Sequence, residues 1–301
     1  MRKSTTLFIL FIAIFCNTLF AQIDSTAVRI AEFEASLEYQ TGTIDFPSCS
    51  AKMVVPNGFK YLDAEQAIYV LSDVWGNPRD TTILGLLVPE GKGVLGAHSW
   101  VFTLTFDPIG YVKDDDAEDI DYEELLEQMQ TETKEANPNR VQLGYPAIEI
   151  IGWASKPYYD KDKKVLHWAK EAKFGGDSIN TLNYNLRILG KDGVFVVNAI
   201  ASIEELNEVK PTIDNVLASI EFEKGNTYFD FNPDVDNVAA YTVGGLVAGK
   251  VLAKVGFFAI IAKFGKIILL GLIAGFGALW SFITGKKKKE AVQEEKMIEN
   301  E

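Results

Sequence analysis

The chain has 301 residues, 48% of them hydrophobic, with 29 Lys and Arg against 42 Asp and Glu. A net charge of −13 repels phosphate backbones and argues against nucleic-acid binding. No P-loop, GxSxG, HExxH, paired CxxC or dinucleotide fingerprint is present, which removes the motif-bearing classes of nucleotide, hydrolase, zinc-protease and redox chemistry and implies no cofactor.

The first segment, "MRKSTTLFILFIAIFCNTLFAQ", has a basic start at Arg2 and Lys3, an apolar run, and Leu19-Phe20-Ala21. This order predicts a secretory signal peptide over residues 1–21, cleaved after Ala21. Phe15 before Cys16 is too bulky for a lipid-modified cysteine. Removal of 1–21 leaves only Cys49, so no internal disulfide can form, and Cys49 reads as a small packed side chain.

From Gln22 to Asp236 there are 18 basic and 37 acidic residues, a net of −19. This stretch is long enough for one substantial core, and its charge favours solubility and cationic or basic partners. The elements follow in chain order. "TAVRIAEFEASLEYQ" is a helix with Val28, Ile30, Phe33 and Leu37 as its apolar side, capped by Ser25. "GTIDFPSCSAKMVVP" reads as a pair of strands or as a strand and a loop. Asp63 caps the helix "AEQAIYVLSDVW", which stops before "GNP". "TTILGLLVPE" and "SWVFTLTFD" are strands, and "DYEELLEQMQTETKEA" is a helix. "AIEIIGWAS" and "KVLHWAKEAKF" are strands. "TLNYNLRIL" and "GVFVVNAIAS" flank the turn "GKDG" as a hairpin. "SIEELNEVKPTIDNVLASI" is a helix interrupted near Pro211, and "EFEKGNTYFDF" is a closing strand. Helices and hairpins mix without a βαβ rhythm, so the fold class is α+β with a mainly antiparallel sheet and packed helices, plus a C-terminal transmembrane helix.

That last helix is expected over residues 267–285. Ile267 to Ile283 is seventeen residues without a charge, bounded by Lys263 and Lys266 on one side and Lys286, Lys287, Lys288 and Lys289 on the other. An 18-residue helix spans about 27 Å, close to the roughly 30 Å hydrocarbon layer. Trp280 lies near the lysine end, where an indole suits the interface, and the lysines belong on the cytoplasmic side. The result is a single-pass cell-membrane protein. Residues 22–236 are extracytoplasmic (periplasmic in a two-membrane bacterium), 237–266 form a juxtamembrane apolar or amphipathic helix, and 286–301 form a short charged tail. Two spans joined at Lys263–Lys266 would put lysine clusters on opposite sides, against the charge bias. Gly245 with Gly249, and Gly271 with Gly275, give GxxxG spacings that permit helix-mediated self-association.

Long blocks resemble one family: "LSDVWGNP", "GYVKDDDAEDIDYEELLEQM", "GYPAIEIIGWASKPYYD", "LNYNLRILGKDGVFVVNAIA" and "YFDFNPDVDNVAAYTVGGLVAGKVLAKVGFF". These are similar to the bacterial family of predicted membrane-anchored proteins called domain of unknown function 2167. The resemblance implies the same topology and no known reaction, cofactor or catalytic residue. Residues 146–231 also look faintly like the sandwich of PsbP- and Mog1-type binding proteins, a likeness of fold alone.

Three clusters are candidate sites. The acidic block around Asp114, Asp115 and Asp116 suits a hard cation, but its spacing departs from a calcium loop and consecutive carboxylates diverge on a regular element. Helix capping by Asp119 or Asp121, with Glu123 and Glu124 in the first turn, explains much of the local acidity and is the favoured reading. Trp153, Tyr158, Tyr159, His167 and Trp168 could line a ligand groove or simply form a hairpin core. Asp230, Asp234 and Asp236 stand before the membrane segment, where Asn232-Pro233-Asp234 reads as a turn and Asp236 as the cap of the next helix. Two function classes stay open. One is a non-enzymatic binding or assembly ectodomain that meets another envelope protein. The other is a membrane-tethered, metal-dependent hydrolase or transport accessory.

Overall fold

The computed structural model describes residues 27–96 and 98–248. The expected signal peptide, the expected transmembrane anchor with Ile267 and Trp280, and the charged tail with Lys286 to Lys289 lie outside these residues. Among the described residues no helix is long and apolar enough to cross a membrane.

A helix over residues 27–36 (α1) leads into a hairpin of β1 (Thr43–Phe46) and β2 (Ala51–Val54). Then come β3 (Phe59–Asp63), α2 (Ala64–Ile68), β4 (Ile83–Pro89), β5 (Val101–Asp107) and the long α3 (Tyr122–Gln142). Four strands follow: β6 (Ile148–Asp160), β7 (Val165–Phe174), β8 (Thr181–Leu189) and β9 (Val194–Ser202). The described chain ends with α4 (Leu206–Val209), α5 (Ile213–Ala218), β10 (Ile220–Phe222) and α6 (Val243–Ala248). A seven-stranded sheet runs β3-β4-β5-β9-β8-β7-β6 and a three-stranded sheet runs β1-β2-β10, with every pairing antiparallel. The α+β, mainly antiparallel class expected from the sequence is the one observed.

Alternation along the strands assigns two faces. In β9, Phe195, Val197, Ala199 and Ala201 point to the front, into a core shared with Phe46, Met53, Val209 and Val216 of the small sheet and of α4 and α5. Val194 and Val196 point to the back. The back carries two separate apolar patches. Phe33, Leu37, Ala67, Val70 and Leu71 cover Leu62, Leu86, Val88 and Val101. Leu125, Met129, Tyr228, Val243, Leu246 and Val247 cover Leu166, Trp168, Leu189, Val194 and Val196.

Several elements depart from their predicted extents. Asp63 caps α2 as expected, accepting from the Gln66 amide, but the helix continues as a π-helical turn over Tyr69–Val74. Helix α3 runs past Ala136 and through Pro138 to Gln142. Its later turns are held by the sheet: the Asn137 amide donates to Ile148 O and accepts from Ile148 N, both at 2.8 Å, and Gln130 Nε2 donates to Ile150 O at 3.0 Å. These two side chains, seven residues apart on one helical face, pair with the backbone of β6, the last strand of the sheet, and so protect its edge. Strand β6 itself extends through Pro157 to Asp160, a proline position that an edge strand with register shifts tolerates. The closing strand predicted over 221–231 stops at Phe222. Gly225, at φ 93°, turns the chain, and Tyr228–Asp230 form a 3-10 turn begun by a Thr227–Asp230 capping box.

Candidate functional site

The segment between β5 and α3 carries the acidic block, and distant parts of the chain converge on it. Tyr111 N donates to Asn237 O, and Ala239 N donates to Tyr111 O, each at 2.8 Å. Gly110 makes this approach possible: its φ is +86° and an added Cβ would lie 2.7 Å from Asn237 O. The Tyr111 ring stacks on Phe231 at 3.8 Å and on Tyr228 at 4.5 Å. Asp114 then accepts three bonds, from Lys164 Nζ at 2.8 Å and from the hydroxyls of Tyr159 and Tyr228 at 2.9 Å each. Burial alone would push this carboxyl up. The bonds from Lys164, Tyr159 and Tyr228, with the Lys164 charge, outweigh burial and hold it below the usual carboxylate range. Burial and the Asp114 bond push the Tyr159 hydroxyl far up, and burial with bonds to Tyr111 and Asp114 does the same to Tyr228. Lys164 also lies 4.8 Å from the Tyr228 ring centroid.

The three consecutive aspartates do different things. Asp114 closes the knot just described, Asp115 sits exposed in a turn, and Asp116 accepts from Val243 N at 3.3 Å, at the start of α6. Asp121, not Asp119, caps α3 through the amides of Glu123 and Glu124. Glu118 and Glu123 pair with Lys161 and Lys156 on the β6–β7 hairpin. Of the candidate cation ligands Asp114, Asp115 and Asp116, the first and third are engaged by different parts of the chain. Among the described residues no three His, Cys, Asp or Glu side chains come together as a metal-holding group.

The aromatic candidates are split between the two faces of the β6–β7 hairpin. Tyr158 and His167 face each other across the strands on one side and stack at 4.3 Å. Trp153, Tyr159 and Trp168 pack in the back core on the other, and Trp153 Nε1 donates to Tyr122 O at 3.2 Å. No single groove joins the five. His167 is 2% exposed and neither ring nitrogen has a hydrogen-bond partner. Burial pushes its pKa down to about 4, so the ring is neutral at physiological pH. Cys49 is buried, its thiol donates to Phe46 O, and burial pushes its pKa up to about 11, far from a reactive thiolate.

The third cluster is a turn. Asp234 N donates to Asn232 Oδ1 at 3.0 Å and Asn232 N to Asp236 Oδ2 at 2.7 Å. Asp230 accepts from Thr227 within its own 3-10 turn. Asp236 does not cap the next helix. Thr242 does, with its hydroxyl accepting from Gly245 N, and Asp116 helps from outside. Gly245, first of a GxxxG pair, is buried within α6.

One arrangement escaped the sequence. Across the back of the large sheet, between its two apolar patches, Thr103, Asn198, Asn185 and Trp168 occupy paired positions on β5, β9, β8 and β7. Arg187 and Lys170 flank this band on the same face. The Arg187 guanidinium donates to Asn198 Oδ1 at 2.8 Å and lies 4.8 Å from the Trp168 ring centroid. Burial pushes its pKa down to about 10, and burial together with the Arg187 charge lowers that of Lys170. The available signal was the run Asn183-Tyr184-Asn185-Leu186-Arg187. Its alternation also describes the solvent side of an ordinary half-buried strand. A separate recess of about 580 Å³ opens between α3 and β6, but the Gln130 and Asn137 amides lining it are engaged with the strand.

No curated protein matches the chain in sequence. Among solved structures it is similar to cyanobacterial PsbP from Synechocystis sp. PCC 6803, at 10% identity and a TM-score of 0.36, over 62% of this chain and 94% of that one. It is also similar to the Saccharomyces cerevisiae Ran-binding protein Mog1p, at 10% identity and a TM-score of 0.30, over 62% and 96% of the two chains. The sequence pattern of one family runs through residues 38–277, from just before β1 to well beyond α6, and the chain belongs to that family, the proteins of unknown function DUF2167.

Proposed function

We propose that this chain is a membrane-anchored envelope protein whose body, outside the cytoplasm, is a non-enzymatic binding or assembly domain for another envelope protein. The reading rests on the course of residues 237–248. They do not leave the body as a free linker: Asn237 and Ala239 bond to Tyr111, Asp116 meets Val243, and Val243, Leu246 and Val247 are buried in the back core. The next residues in sequence are the apolar stretch that ends at Lys286. A body packed down to the start of such a stretch suits a domain held at a membrane surface to meet a partner. The acidic block supports the same reading, because Asp114, Asp116 and Asp121 are spent on folding contacts.

The test places a photo-crosslinking residue at exposed Tyr158, Ile179 or Phe229 of the full chain in intact cells. A discrete adduct with the same envelope protein from at least one position is expected. Absence of adducts from all three, together with a hydrolytic activity of the purified full chain that a chelator abolishes, would transfer the protein to the metal-dependent class.

A further inference from the structure

We propose that the back-face band is a binding site for an oxyanion, a phosphate or carboxylate group, held by Arg187, Lys170 and the Trp168 indole N–H. The inference concerns only residues of the sheet and stands apart from membrane anchoring.

The band has an excess of donors. Trp168 is 1% exposed and its Nε1, which can only donate, has no partner. A buried donor in that state costs stability and calls for an acceptor. Arg187 can offer five N–H groups, and its bonds to Leu186 O and Asn198 Oδ1 both come from one nitrogen, Nη1. Among the described residues neither Arg187 nor Lys170 forms an ion pair. Both cations are half-buried and stand on the face that carries the unpartnered indole N–H. Asp107, on the same face of β5, acts on Arg187 through space without forming an ion pair.

Two of the acceptors beside these groups are already engaged. Asn198 Oδ1 takes Arg187, and Asn183 O takes Asn185 Nδ2. Trp168 pairs with Asn185, and Lys170 and Arg187 stand one same-face position to either side of that pair, opposite Asn183 and Leu166. The cations and the indole therefore belong to one patch. A planar guanidinium and an ammonium on either side of a neutral N–H suit a multi-oxygen anion, and the surrounding sheet strengthens each charge-assisted bond.

The experiment follows the Trp168 indole N–H resonance of the full chain in detergent micelles, assigned by Trp168→Phe, during titration with inorganic phosphate, acetate or chloride at constant ionic strength. Phosphate or acetate is expected to move the resonance saturably and chloride is not, and the tighter of the two names the group carried by the natural ligand. Lys170→Met should weaken binding at least about tenfold, the loss of one charge-assisted bond, while leaving the thermal midpoint close to that of the parent. Arg187→Gln, if it folds, should abolish the shift. No saturable movement with either oxyanion, an equal response to chloride, or unchanged affinity in folded Lys170→Met overturns the site.

Discussion

Against the front of the large sheet lies a second sheet with α4 and α5; against its back lie helices, a tied loop and a polar band. On the front, side chains alternate cleanly and meet others of the same kind, so aromatic rings such as Phe46 and Phe195 pack at 5.5 Å without polar help. On the back, two apolar patches are separated by Thr103, Asn198, Asn185 and Arg187, and the loop carrying Asp114 is fixed by bonds to residues 45, 50 and 114 positions away. The front is held by area and shape, which tolerate exchange of similar volumes. The back depends on individual polar contacts that a single atom can remove.

Substitutions on the two faces sharpen this contrast. Phe195→Ala should have the largest effect. Phe195 is fully buried in the front core, and its loss leaves a cavity costing about 3–5 kcal/mol, read as a fall in the denaturant midpoint. A loss below about 1 kcal/mol would mean that the two sheets pack loosely. On the back, Asp114→Ala should cost about 3 kcal/mol, because Lys164 and two tyrosine hydroxyls lose their acceptor in a site where both charges are largely buried. Phe at position 159 or 228 should recover little of that loss, since the remaining ammonium still lacks its carboxylate. The Asp114 contribution has a definite pH sign. Its folded pKa lies below the unfolded value, so the stability is present above the ordinary carboxylate range and disappears as pH falls through the folded pKa.

His167, although a base, has the same pH sign. Its folded pKa of about 4 lies below the unfolded value of 6.5, so between these the unfolded chain takes up a proton that the folded chain refuses. Stability should fall by about 2–3 kcal/mol as pH drops from 6.5 to 4, and level off below. His167→Phe should keep the stack on Tyr158 and remove this part of the slope. If the variant and the parent lose stability in parallel over that interval, His167 is protonated in the fold and the burial argument fails. The smallest effect belongs to Lys156→Met. Its pair with Glu123 is exposed on both sides, so the change should be under about 1 kcal/mol at moderate salt.

How much the sequence revealed follows the same division. The front strands were legible because period-two alternation is a local property: Leu182, Tyr184 and Leu186 announce one face by themselves. The caps at Asp63 and Asp121 were legible for the same reason, since a carboxylate reaches amides two or three residues on. The knot on Asp114 was not, because Lys164, Tyr159 and Tyr228 meet it only through the topology. Helix α3 passing Pro138 was hidden likewise, its later turns being anchored by Asn137 on β6 rather than by propensity. The hairpin-core reading of the aromatic set fits Trp153, Tyr159 and Trp168, while Tyr158 and His167 lie on the other face because a strand sends neighbours to opposite sides. In the back-face band, the polar alternation of Asn183, Asn185 and Arg187 looks like a wet strand surface until the third dimension places Trp168 and Lys170 beside it.

The most direct test of the anchored-ectodomain account is protease accessibility of the full chain in intact cells, with an epitope after Glu301 and a second in the exposed turn near Asn226. For a two-membrane bacterium the outer membrane is first made permeable. The account predicts that the epitope near Asn226 is destroyed while the one after Glu301 survives until the cytoplasmic membrane is lysed. Survival of both epitopes, or loss of the C-terminal one before lysis, would contradict it.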